Sequence, residues 1–161
     1  MDDCPFCSVV AGSETDYNAQ TDVIHRDQLT TAFVCPKWWL AAPAHVLVVP
    51  NSHYENVYAI PDDELAAVYA TAKKIATAMR SAYYCEGTSM RQHNEPGGGQ
   101  DVWHFHVHVF PRRRDDRLYE RNAETRMTAA SERAPYAERL RFALQNRKKV
   151  SPSAPVFRND A

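Results

Sequence analysis

The chain has 161 residues, a formal net charge of −1, and 24% charged against 44% hydrophobic residues. That length supports one domain with its own core, and the near-neutral charge gives no general pull toward nucleic acid or an anionic membrane. No apolar run approaches the roughly 20 residues that span a bilayer, and Met1-Asp2-Asp3-Cys4 lacks the basic and apolar regions of a secretory leader. The expectation is therefore a cytoplasmic protein whose four cysteines stay reduced.

Residues 1–16 read as a knuckle on Cys4-Pro5-Phe6-Cys7 with a short lead-in of helical character. Val23-Ile24-His25 and Leu29 to Val34 form a predicted hairpin turning at Arg26-Asp27-Gln28. His45 to Val49 is apolar and β-branched, a predicted central strand closed by Pro50. Pro61-Asp62-Asp63-Glu64 opens a helix, with acids where the macrodipole favours them. Along that helix Leu65, Val68, Tyr69, Ala72, Ile75, Ala76, Met79 and Tyr83 recur at helical spacing and form one buried stripe. Gly87 ends the helix and begins a strand over Thr88 to Gln92. A glycine-rich loop, Asn94 to Asp101, leads into a last strand that stops at Pro111. Together these elements predict an α+β fold: an antiparallel sheet with one long helix across it. Arg112 to Arg117 is a charge run that reads as a solvated turn, with Arg112 close enough to the last strand to reach an anion. Residues 118–134 read as polar and partly disordered. Pro135 to Lys148 is a short amphipathic helix, and residues 149–161 form a loose tail. The domain therefore covers 1–114, and 115–161 is a C-terminal helical extension.

The most informative run is His104-Phe105-His106-Val107-His108-Val109-Phe110. In extended backbone successive side chains alternate, so His104, His106 and His108 share one face, while Phe105, Val107 and Val109 point to a core. Such a row supplies metal ligands, proton carriers or nucleophiles. Three of the chain's five glycines sit just before it, and Asn94 and Gln100 add side-chain donors. Glycine lets backbone N–H groups approach an anion closely, which makes the loop a candidate phosphate cradle. Cys4 and Cys7 at this spacing fit two zinc ligands, a redox pair or an accident of sequence.

The ordered set resembles the histidine triad (HIT) superfamily of nucleotide hydrolases and transferases. The triad run, Cys4-Pro5-Phe6-Cys7, Pro43 to His53, the Asn94–Asp101 loop and Pro111-Arg112 all carry the likeness, over roughly residues 1–114. The resemblance implies a HIT-like fold, usually a homodimer, and hydrolysis or transfer at a nucleoside-phosphate α-phosphorus. His106 would be the nucleophile, with His108 and His45 beside it. Asn94, Gly98, Gly99, Gln100, Asp101 and His108 would hold the substrate. Zinc-bearing members use a Cys pair with the histidine after the central strand and the first triad histidine, here Cys4, Cys7, His53 and His104. Four protein ligands imply structural Zn²⁺. The partner is then a small nucleotide conjugate such as a phosphoramidate or dinucleoside polyphosphate, with no nucleic acid and no membrane.

Two positions depart from the family pattern. Cys35 stands where many members have a ribose-binding Asp or Asn, beside Lys37-Trp38-Trp39-Leu40, whose tryptophans would stack on a ring, form a dimer contact or fill the core. Asp101 stands where several phosphoramidases have Ser. Two rival readings follow: a non-catalytic nucleotide-binding module on the same scaffold, and a hydrolase whose three triad histidines hold an open-site metal.

Overall fold

Alternation decides which residues face which layer. The computed structural model describes residues 4–15 and 17–146. Its strands are β1 (Val23–Arg26), β2 (Thr30–Val34), β3 (Lys37–Trp39), β4 (Val46–Pro50), β5 (Gly87–Gln92), β6 (Val107–Arg112) and β7 (Thr125–Met127). Its helices are α1 (Pro5–Ala11), α2 (Asp62–Tyr83) and α3 (Ala130–Asn146). Five strands form one antiparallel sheet in the order β1-β2-β4-β6-β5, and β3 pairs with β7 in a separate two-stranded sheet. The α+β class predicted from the sequence is the fold observed. No helix among the described residues is long and apolar enough to cross a membrane.

One face of the large sheet carries Ala32, Val34, Val46, Val48, Val107 and Val109, and it packs on Val68, Ala72, Ile75 and Met79 of α2. The other face carries Phe33, Leu47 and Val49, covered by Phe6 and Val9 of α1. The buried stripe of α2 differs from the predicted one at Tyr69, which is 41% exposed. Thr71 is buried instead, because its hydroxyl meets that of Thr30 at 2.9 Å. A polar residue can enter the core when it is paired.

The C-terminal region departs further from expectation. Residues 118–134 are not disordered: β7 pairs with β3, and α3 begins at Ala130, upstream of Pro135. The reason is Arg133, which reaches Asp22 through two 2.8 Å bonds and also donates to the Thr128 carbonyl. Residues 147 and 148 of the predicted helix, and the tail 149–161, lie outside the described residues. Ala137 and Leu140 of α3 join the same core as α2. The Arg133 and Asp22 side chains are only 4% and 0% exposed. Removing one partner strands a buried charge, so Arg133→Met should destabilise the fold by about 3 kcal/mol in denaturant melts. An unchanged midpoint would show the pair to be dispensable.

Candidate active site

Sheet pairing brings β6 beside β4, with His108 opposite Leu47 and Val109 opposite Val46. His108 and Phe110 therefore point to the α1 side of the sheet. His104 and His106 precede the first paired residue, Val107, yet they keep the alternation. Phe105 is sealed in the core, and its N–H donates to the Tyr54 carbonyl at 2.6 Å. His45, just before β4, joins them: its ring stacks on Phe110 at 4.6 Å and on His108 at 5.3 Å.

His106 is 1% exposed, and its Nδ1 lies 2.7 Å from the His104 carbonyl oxygen. That carbonyl only accepts, so Nδ1 carries the proton and Nε2 keeps a lone pair. Burial pushes the ring below the ordinary histidine pKa, which keeps it neutral. The cleft beside it is lined by Phe6, Tyr17, Cys35, Trp39, Asp101 and His108. An unprotonated imidazole nitrogen at a cleft is suited to nucleophilic attack.

On the same face, His104 lies against the N-terminal segment. Its Nδ1 is 3.5 Å from both Cys4 Sγ and Cys7 Sγ, and His53 Nδ1 is 3.3 Å from Cys7 Sγ. All four donor atoms lie within 4.8 Å of one another. Tetrahedral zinc bonds of ~2.3 Å to sulfur and ~2.0 Å to nitrogen place S and N about 3.5 Å apart, so the cluster fits the ion. His104 Nε2 donates to the Pro50 carbonyl at 3.0 Å, which leaves Nδ1 free to ligate. Burial and the adjacent Cys4 thiol push Cys7 up to about 11, a shift that a cation bound between the thiols reverses. Among the described residues, this is the one group of His, Cys, Asp or Glu with metal-holding geometry, and it contains neither His106 nor His108. The rival three-histidine metal centre has no matching cluster.

The glycine loop holds itself together. Asn94 Oδ1 accepts from the Val57 N–H, and its Nδ2 donates to Gln92. Gln100 is buried, donating to the Glu55 and Val102 carbonyls and accepting from the Glu95 N–H. The N–H groups of Gly98, Gly99 and Gln100 close turns onto Glu95 and Pro96. Gly99 has φ +78°, a conformation glycine adopts without strain. Asp101 is 61% exposed and lies 3.7 Å from Lys37.

Cys35 is buried in the cleft wall, its Sγ donates to the Lys37 carbonyl at 3.3 Å, and burial pushes its thiol up to about 12. It is therefore a neutral thiol whose hydrogen is already used. The two tryptophans separate: Trp38 is a core residue, edge-on to Tyr136, while Trp39 packs on Phe110 and lines the cleft. Arg112 does not reach the cleft, because Asp116 holds it through bonds of 2.7 and 2.6 Å and Ser89 takes a third nitrogen. Two residues had no sequence motif to mark them. His93 bonds the Gly98 carbonyl at 2.7 Å and meets the His108 ring edge-on at 5.7 Å. Arg91 pairs in register with His108. Arg91 lies on β5 and His93 just after it, so alternation across that strand is the signal that could have found them. His25 lies elsewhere, paired with Asp27 at 3.0 Å.

Neither ring nitrogen of His45, nor Nδ1 of His108, has a hydrogen-bond partner, and both rings are buried. Burial lowers His45 to about 3 and holds His108 well below the ordinary value. The unfolded chain takes up protons near pH 6.5 while the native rings do not, so stability is full above that pH and falls as pH drops toward 3. At pH 5.5 His45 should account for about 1 kcal/mol of that loss. Asp116, held down to about 2 by the Arg112 guanidinium, acts only below pH 4. Urea melts at pH 7.5 and 5.5 check this: His45→Phe should flatten the dependence, and an unaltered slope would contradict it.

Comparison with known proteins agrees with this geometry. Residues 17–115 match the family model described as the HIT domain. The protein hit of Bacillus subtilis is 30% identical, over 69% of this chain and 72% of its own length. A Zn-bound histidine triad family protein from Mycobacterium smegmatis superposes with a TM-score of 0.74 at 24% identity, covering 91% of this chain and 96% of that one. Plasmodium falciparum diadenosine triphosphate hydrolase, solved with cyclomarin A, gives a TM-score of 0.68 at 16% identity, covering 83% and 82%. The matched span takes in the sheet, α2 and the histidine row, and the chain belongs to the HIT family.

Proposed function

We propose that this protein is a nucleotide hydrolase or transferase in which His106 Nε2 attacks the α-phosphorus of a nucleotide conjugate. The observation that carries the proposal is the 2.7 Å bond from His106 Nδ1 to the His104 carbonyl, which leaves Nε2 as the free lone pair in the cleft. As the Nε2–P bond forms, the bond from phosphorus to the leaving group breaks. Water or another acceptor then attacks the nucleotidyl-histidine and releases the ring, so one displacement becomes two. His108 and His45 flank the reacting phosphate as neutral rings. Gly98, Gly99 and Asp101 border it, and Asn94 and Gln100 set the shape of that loop. Cys35 supplies no carboxylate for sugar hydroxyls, so the sugar is held by other groups.

Zn²⁺ at Cys4, Cys7, His53 and His104 belongs to the same proposal. With four protein ligands it has no open position, and it ties α1 and His53 to the residue that orients His106. A homodimer, a cytoplasmic location, and division into a 1–114 domain with a 115–161 extension complete it. Support for the substrate class comes from family membership and from the diadenosine triphosphate hydrolase among the structural neighbours. The test is incubation of zinc-loaded protein with nucleoside phosphoramidates and dinucleoside polyphosphates. Release of the nucleoside monophosphate is the expected result. Binding of the whole panel without turnover would replace the enzyme with a non-catalytic nucleotide-binding module.

A further inference from the structure

The sheet face that carries the histidines continues onto β5. Arg91 is the cross-strand partner of His108 in the β5–β6 register, so the two side chains leave the sheet on the same side. Its guanidinium lies 5.2 Å from the Trp39 ring centre and 5.3 Å from that of Tyr119. Trp39 in turn lines the cleft beside His106. The two aromatic rings hold the guanidinium, whose N–H donors lie at the edge of its own plane. Among the described residues no carboxylate pairs with Arg91, and its buried Nη1 has no hydrogen-bond partner. Its neighbour Arg112 is fully engaged by Asp116 and Ser89. Nη1 is sealed from solvent, so the donors open to a ligand are Nε and Nη2, which also have no hydrogen-bond partner among the described residues; an anionic oxygen there completes the bonding of the guanidinium.

We propose that Arg91 is a second anion seat of this site, taking a phosphate beyond the one His106 attacks. The inference rests on the nucleotidyl-transfer reading above and sharpens it: the favoured substrates have a phosphate as leaving group, as nucleoside polyphosphates and dinucleoside polyphosphates do. The Nε2–P bond forms as the P–O bond to the bridging oxygen breaks, and the electron pair stays on the departing phosphate. That group leaves as an anion and needs no proton, whereas an amine leaving group must receive one. A fixed cation beside His108 favours the first kind of departure. Arg91 is a specificity determinant here, and the attack itself remains with His106.

The test is calorimetric binding of AMP and α,β-methylene ADP to the zinc-loaded protein, with wild type, Arg91→Met and Arg91→Lys side by side. Wild type should hold the diphosphate about 10- to 100-fold more tightly than AMP, the worth of a charge-assisted hydrogen bond. Arg91→Met should bring the two affinities together while leaving that for AMP unchanged, which also shows the variant to be folded. Arg91→Lys should fall between, since it keeps the charge and loses the planar fork. In parallel, Arg91→Met should lower kcat/KM for diadenosine triphosphate and spare an adenosine phosphoramidate with a neutral amine. Equal affinities in wild type, or a diphosphate preference that survives in Arg91→Met, overturns the seat and leaves the nucleotide reading standing. Failure of wild type to bind either nucleotide overturns both.

Discussion

His106→Asn should reduce turnover of every substrate by on the order of 10⁴-fold or more, with zinc content and melting temperature close to wild type. The size of the effect follows from the role. Removing a positioning group leaves the chemical route intact, but removing the attacking nitrogen deletes it. Asparagine has no lone pair on nitrogen to offer phosphorus, yet its amide N–H can still donate to the His104 carbonyl that His106 Nδ1 now meets. The fold keeps that contact, so a loss of activity reads chemistry and not collapse. Initial rates on the substrate panel, with thermal melts as control, are the measurement. A variant within about tenfold of wild type would remove His106 from the nucleophile's role.

The second large effect concerns the metal cluster. Cys7→Ala should abolish zinc binding and lower stability by about 4 kcal/mol, the linkage expected when free zinc exceeds Kd by about a thousandfold. For a chain of this size that corresponds to a melting temperature lower by about 8–16 °C. The large value arises because the four ligands come from α1 and its N-cap, the segment after β4 and the turn before β6, which are distant in sequence. A metal that bridges them binds the native arrangement alone. Cys7 Sγ faces both His53 and His104, so its loss removes a thiolate that two other ligands surround. Zinc analysis by mass spectrometry and calorimetric melts check this. Stoichiometric zinc in the variant, or an identical melt for zinc-free and zinc-loaded wild type, would contradict the ligand assignment.

Much of the fold was legible because period-two and helical patterns are local. Val107 and Val109 turn to the α2 face and His106 and His108 to the α1 face on alternation alone, and most of the α2 stripe follows from its spacing. What stayed hidden depends on partners far away in the chain. Residues 118–134 look polar and formless until Arg133 meets Asp22 across 111 positions. β3 and β7 are three residues each and have no signal until they pair. At the site, the triad and the cysteine pair announce themselves by spacing, and the structure brings Cys4, Cys7, His53 and His104 together. From the sequence, Arg112 is the arginine expected to reach an anion, and nothing marks Arg91. Both are arginines on strands of the same face, and only the neighbours decide: Asp116 occupies one, and two aromatic rings frame the other.

Catalysis by His106 proceeds, on this proposal, through a covalent nucleotidyl-histidine. Its most direct test is intact mass spectrometry of the protein quenched early and without acid, after mixing with dinucleoside polyphosphates and nucleoside phosphoramidates. Wild type should gain the mass of one nucleotidyl group, labile to acid, and His106→Asn should gain none. Substrate consumed with no adduct at any quench time, or an adduct that persists in His106→Asn, would contradict the mechanism.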